Sequence, residues 1–305
     1  QTLQEADSLA EALNNPSLRV FALNDLAEAH YIAGERRLAE RQYERILALR
    51  NRVVRPSSTS GGIARVGMGD IRREQNRLAE AQTLVEQGIA LGKLSGYEAI
   101  GRHGRTVLAR ILQAQGDEAG ATAAMLWALD SAVANGRGEL IARVQMLWAR
   151  LHIVQGNSTA LKTWLTQAAQ VDHRHYSAYH HHREQVTATA VLVALQEPAQ
   201  ALARLAPLLA EARQNGWQHS RLELLVQQAI ASHQLGQTAV SQQAFATALA
   251  LAEPEGYLRL FLDWGDNLLP VLKQAATQPK TALFAQAILS DWRNEGQETA
   301  VSPPP

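Results

Sequence analysis

The densest run of chemically capable side chains is Asp172-His173-Arg174-His175-Tyr176-Ser177-Ala178-Tyr179-His180-His181-His182-Arg183. Histidine is a common zinc ligand, and its imidazole titrates near neutrality. The spacing is poor for a metal. His175 and Tyr179 share a helical face, and no acidic residue completes a His-Glu-x-x-His pattern. The run reads as a solvated inter-repeat loop leading into a helix, and no metal is assigned to it. Ser57, Ser58 and Ser60 stand in a Gly/Pro-rich stretch with no histidine beside them, so their hydroxyls serve turns. Glu5, Asp7, Glu253 and Glu255 fall at expected helix ends, where carboxylates complement the dipole. The six tryptophans, Trp127, Trp148, Trp164, Trp217, Trp264 and Trp292, are spread along the chain as packing residues, with Trp217 placed to cap a repeat after Asn215-Gly216. No nucleophile and base stand together. No catalytic residue and no cofactor are expected, and the chain is not read as an enzyme.

The elements that must position any site are repeats. Gly34, Asn76, Gly116, Gly156, Gln196 and Gly236 punctuate the chain at spacings of 42, 40, 40, 40 and 40 residues. Such a period is the signature of stacked supersecondary units. Seven residues before each mark stands a small residue: Ala27, Gly69, Ala109, Ala149, Thr189 and Ala229. A small residue lets two helices approach closely. After each mark runs one apolar stripe per helix, such as Leu78, Ala81, Val85 and Ile89. The fold expected is all-α: a TPR-like α-α superhelix, a helix-pair solenoid of helices about 15–18 residues, or roughly 25 Å, long. Six pairs are expected, near 18–54, 62–95, 97–135, 139–171, 179–214 and 220–252. The stretch from Arg55 to Gly62 reads as a flexible linker. Residues 1–254 form the repeat array and 255–295 capping helices, near 257–275 and 279–294. Residues 296–305 read as a disordered tail.

Register then yields candidate binding residues. In TPR-like arrays the first helix of each pair lines the concave face. Counting six before, one after and four after each small position gives three columns. The first holds His103, Arg143 and Arg183; the second Asp70, Arg110 and Arg150; the third Arg73 and Gln113. Val186, Ala190 and Val193 give the same face an apolar end. A basic, hydrogen-bonding groove suits a small anionic or polar ligand or a peptide. Asp70 alone cannot offset Arg110, Arg143, Arg150 and Arg183, which points to a missing anionic partner.

Composition narrows the function. Lys+Arg and Asp+Glu both number 29, so the formal net charge is zero. Duplex DNA binders usually carry a basic surplus, so direct nucleic-acid binding is not expected. The chain has no cysteine, which excludes disulfides and thiolate metal sites. The first residues lack a signal-peptide pattern, and the apolar stretch Val186–Leu195 is too short to span a bilayer. A cytoplasmic protein without membrane contact is expected.

The run Ala248-Leu249-Ala250-Leu251-Ala252-Glu253-Pro254-Glu255-Gly256-Tyr257-Leu258-Arg259-Leu260-Phe261-Leu262-Asp263 resembles the segment that closes the sensor array in MalT-like, LuxR-type (STAND-class) transcriptional regulators. Asn76-Arg77-Leu78-Ala79-Glu80-Ala81 and Leu91-Gly92 are also similar to that family. Trp264 departs from it, because an acidic residue commonly follows the Asp. The resemblance covers about residues 18–292. It implies a signal-sensing module that binds a small-molecule inducer or a regulatory protein or peptide. It also implies that the nucleotide-binding switch and the DNA-binding helix-turn-helix lie elsewhere in a longer parent, since no phosphate loop and no helix-turn-helix pattern occur here. The alternative is a free-standing TPR scaffold that binds peptides or proteins.

Overall fold

The computed structural model describes residues 2–13, 15–50, 58–171 and 176–301. Among them the regular elements are helical. They are α1 (Thr2–Ala12), α2 (Pro16–Ile32), α3 (Arg36–Arg50), α4 (Ser58–Glu74), α5 (Leu78–Ser95), α6 (Glu98–Ala114), α7 (Glu118–Asn135) and α8 (Gly138–Val154). There follow α9 (Ser158–Ala168), α10 (Ala178–Ala194), α11 (Pro198–Gln214), α12 (Gln218–Gln234), α13 (Thr238–Ala252), α14 (Arg259–Leu262), α15 (Leu269–Ala275) and α16 (Ala282–Val301). The protein is an all-α, TPR-like helical solenoid.

The punctuation has a backbone cause. All six marks are left-handed, with φ of 77° at Gly34, 59° at Asn76, 85° at Gly116, 65° at Gly156, 59° at Gln196 and 71° at Gly236. A second series, Gly96, Gly136, Gly216 and Gly256, turns the chain between pairs in the same way. The two series interleave, so the direction of the chain reverses about every 20 residues. A left-handed residue after a helix lets its amide satisfy one of the last carbonyls. The amides of Asn76 and Gln196 bond the carbonyls of Arg73 and Val193 at 2.8 and 3.1 Å.

The small positions work as spacing predicts. Ala27, Gly69, Ala109, Ala149, Thr189 and Ala229 are all buried. A Cβ on Gly69 would lie 2.4 Å from Val85 Cγ2 and 3.0 Å from the Ala81 carbonyl oxygen, so α4 touches α5 backbone to backbone.

By contacts the chain forms two compact units, 1–144 and 145–305, divided within α8. In the first, Leu23, Leu26, Ala39, Tyr43, Ile46 and Ile71 make one buried cluster, and Val66, Val85, Ile100, Val107 and Ile111 another. In the second, one large core joins α10 to α16, running from Val186 through Leu205, Leu224, Phe245 and Phe261 to Ile288.

Several expectations need correction. Ser58 to Gly62 are the first turn of α4, not linker; Arg55, Pro56 and Ser57 lie outside the described residues. Gly62 serves close packing: a Cβ there would meet the Gly88 carbonyl oxygen at 3.0 Å. Residues 257–275 do not form one helix. A 3-10 turn at Gly265–Asn267, with Gly265 at φ 50°, splits α14 from α15. The last helix runs to Val301, past Gly296 where the sequence reading starts a tail; 302–305 lie outside the described residues. Helix α1 precedes the first expected pair. Asp7 is in its middle and is bound by Arg19 and Arg45, so it holds helices together and does not cap one.

Two substitutions test this account. Gln196→Gly removes a side chain from an exposed left-handed position, where a Cβ costs roughly 1–2 kcal/mol. It should raise the unfolding free energy by roughly 0.5–1 kcal/mol after the entropy cost of glycine, read in urea. Gly69→Ala should lower it by about 1–3 kcal/mol through overpacking, because the Ala81 carbonyl cannot rotate away.

Candidate functional site

First helices α4, α6, α8, α10 and α12 start at residues 58, 98, 138, 178 and 218, each 40 after the last. Equivalent side chains on them are therefore in phase, and the three columns can be followed contact by contact.

In the first unit the columns converge on Asp70. Arg110 Nη2 donates to Asp70 Oδ1 at 2.5 Å across 40 residues of sequence, and Tyr31 Oη donates to Oδ2 at 3.1 Å. Burial by itself pushes the Asp70 carboxyl up. The guanidiniums of Arg110, Arg73 and Arg36, with His103, outweigh it and hold the group well below the usual carboxylate range. Burial and the Asp70 charge in turn push the Tyr31 phenol well above its ordinary value, so it stays a donor. Arg73 is buried and donates to Glu74 Oε1 at 2.8 Å. Arg36, fully buried, lies 3.6 Å from Glu74 Oε2 and 5.2 Å from the Tyr31 ring centroid. Gln113 is half-buried, whereas His103 and Arg143 are exposed.

In the second unit the hub is Glu223 on α12. Arg150 grips it with two bonds, Nη1 to Oε1 at 2.5 Å and Nη2 to Oε2 at 3.0 Å. Arg183 grips it from α10, Nη1 to Oε2 and Nη2 to Oε1 at 3.1 Å. His219 Nε2 lies 3.4 Å from Oε1. Its Nδ1 is 3.2 Å from the Tyr257 hydroxyl. Thr187 Oγ1 accepts from Arg150 Nε at 3.0 Å, and Ser220 Oγ from Arg183 Nη1 at 3.2 Å. Burial favours the protonated acid, yet Arg150, Arg183 and His219 overcome it and keep Glu223 ionised far below its usual pKa.

A family model described as the MalT-like TPR region matches residues 1–278. The chain belongs to that family. No curated protein matches it.

The closing segment read above from Ala248 to Asp263 is structural. Phe261 packs edge-on against Phe245 and Phe284 at centroid distances of 5.8 and 6.1 Å. Arg259, nearly fully buried, donates to Asp263 at 2.7 Å and bonds Glu295 on α16.

The sequence reading left Arg110, Arg143, Arg150 and Arg183 without enough counter-charge. That is corrected for three of them. Arg110 has Asp70, and Arg150 and Arg183 share Glu223. The signal was available: Glu223 is six before Ala229, the next member of the column that holds His103, Arg143 and Arg183. Tyr31, four after Ala27, opens the third column and was missed likewise. Glu74 and Arg36 lie off the columns and had no such signal. Val186, Ala190 and Val193 do not offer an apolar groove wall, because all three are buried in the core.

The histidine run divides. Asp172, His173, Arg174 and His175 lie outside the described residues. His182 is fully buried, with Nδ1 2.7 Å from Glu211 Oε2 and its ring 4.7 Å from that of Trp217. Burial lowers its pKa, against the pull of Glu211. Among the described residues no group of three His, Asp or Glu could hold a metal ion. No described helix is long and apolar enough to cross a membrane.

Glu223→Gln should cost about 3 kcal/mol, since it strands two largely buried guanidiniums. The pH dependence has a definite sign. A depressed folded pKa contributes stability that is complete above the ordinary value near 4.5 and is lost as pH falls through the folded value. Urea midpoints measured from pH 7 down to pH 3 should therefore fall less steeply for Glu223→Gln than for the parent.

Proposed function

We propose that this TPR-type module is the sensing region of a bacterial transcriptional activator. On this reading it binds a small-molecule inducer or a regulatory protein along its first-helix face and passes the signal to switch and DNA-binding modules of the same regulator. The module itself is neither an enzyme nor a DNA-binding element. Membership of the MalT-like TPR family supports the regulatory role. The observation that carries the binding role is the charge seam of the first unit. Electrostatic contact links two guanidiniums at the surface, Arg110 and Arg143, through His103, with one carboxylate, Asp70. Buried and half-buried charge on a helix face costs desolvation. A surplus of one sign there is a specific invitation to ligands of the other sign.

The test is made in the gene that carries this segment. Exchanging the pair, Asp70→Arg with Arg110→Asp, keeps the bond and moves the charges. Induced transcripts should fall to the uninduced level while circular dichroism stays helical. Full induction by the exchanged protein counts against the ligand face. An unchanged transcript profile after in-frame deletion of residues 58–252 removes the regulatory role, and the scaffold reading takes its place.

A further inference from the structure

The two hubs differ in what they leave unanswered. In the second unit Glu223 accepts from both guanidiniums, and the cluster is closed on itself. In the first unit Arg110 is answered by Asp70, but Arg143 on α8 is not. Arg143 is exposed and makes no hydrogen bond or ion pair among the described residues. It stands one repeat beyond His103 on α6, at the same position of its helix. His103 is two turns before Arg110 on α6, which puts them on one face about 10 Å apart. Arg110 also keeps its Nε buried with no hydrogen-bond partner. Two cations and an imidazole thus stand on the neighbouring first helices α6 and α8, and Asp70 meets Arg110, the far one.

We propose that Arg143, His103 and Arg110 form a seat for an oxyanion, the carboxylate or phosphate group of a small molecule. The inference rests on the first-helix face being the ligand face and assigns the chemistry that face selects. A guanidinium recognises either group through two parallel N–H bonds. The imidazole beside it adds a third donor once it takes up a proton. In the free protein that proton is disfavoured. Crowding by protein atoms, then the positive charges of Arg143 and Arg110, hold the His103 imidazole at about 4 against the pull of Asp70, although its edge is open to solvent. A bound anion reverses the balance, because an opposite charge within a few ångströms favours the charged form by about 1–3 pKa units. Ligand binding and His103 protonation are therefore coupled, and each strengthens the other.

The experiment reads the His103 Cε1 resonance of the purified chain at pH 5.5, where the free imidazole is almost wholly neutral. Inorganic phosphate and, separately, acetate are added at constant ionic strength kept with chloride. The expected result is a saturable shift toward the imidazolium position, equivalent to a pKa rise of about one unit or more. A response to phosphate alone assigns a phosphate group, to acetate alone a carboxylate, and to both an oxyanion of either kind. Arg143→Gln, at an exposed site, should start from a more protonated His103 and lose the response. No shift with either anion overturns the proposal, as does an undiminished shift in Arg143→Gln. Failure here leaves the transcript experiment unaffected, since that one reads induction and not anion chemistry.

Discussion

Everything in this protein depends on the close approach of two antiparallel helices at one small buried residue per repeat. At Gly69 the neighbouring helix presents a carbonyl oxygen 3.0 Å from where a Cβ would be. Such contact is possible only if the chain reverses sharply and on schedule. Left-handed residues at 76, 96, 116, 136 and again at 196, 216, 236 and 256 provide the schedule. A hairpin so made is apolar on a face it cannot cover alone, and stacking covers it. The repeat length is thus set by two helices of about four to five turns and two tight reversals.

Regular stacking has an electrostatic consequence. With first helices offset by 40 residues, any side chain faces its counterpart one repeat away. The Asp70–Arg110 and Arg183–Glu223 pairs are both separated by 40 residues in sequence. Polar residues on this face are forced into ladders, and ladders need alternating sign. Where the sign alternates, the carboxyl is driven far below its ordinary pKa and the cluster is closed, as at Glu223. Where it does not, as between His103 and Arg143, burial and the neighbouring guanidiniums hold the imidazole in its neutral form.

The C-terminal end shows how the array stops. After α13 the chain abandons the 40-residue rhythm for short helices and 3-10 turns. Tyr257, Phe261 and Leu262 fill the core left by the last pair, and Arg259 ties α14 to α16. Tyr257 also reaches His219, which in turn flanks Glu223. The closing segment therefore does more than cover apolar surface: it buttresses one side of the second hub.

The sequence by itself determined the repeat and the helix pairs to within a few residues. These follow from local chemistry: glycine or a tolerant residue where φ must be positive, alanine or glycine where helices touch, and apolar spacing of three and four. It misread Ser58 to Gly62 as linker because glycine signals both flexibility and close packing, and only the position of α5 distinguishes them. It misread Val186, Ala190 and Val193 as a groove wall because burial depends on which helix lies opposite. Pairing was decided by tertiary structure alone. Arg150 reaches Glu223 across 73 residues of sequence, and Arg36 lies against Glu74 from a second helix. A long guanidinium can reach several carboxylates, so its partner is fixed only when the helices bearing both have been set side by side.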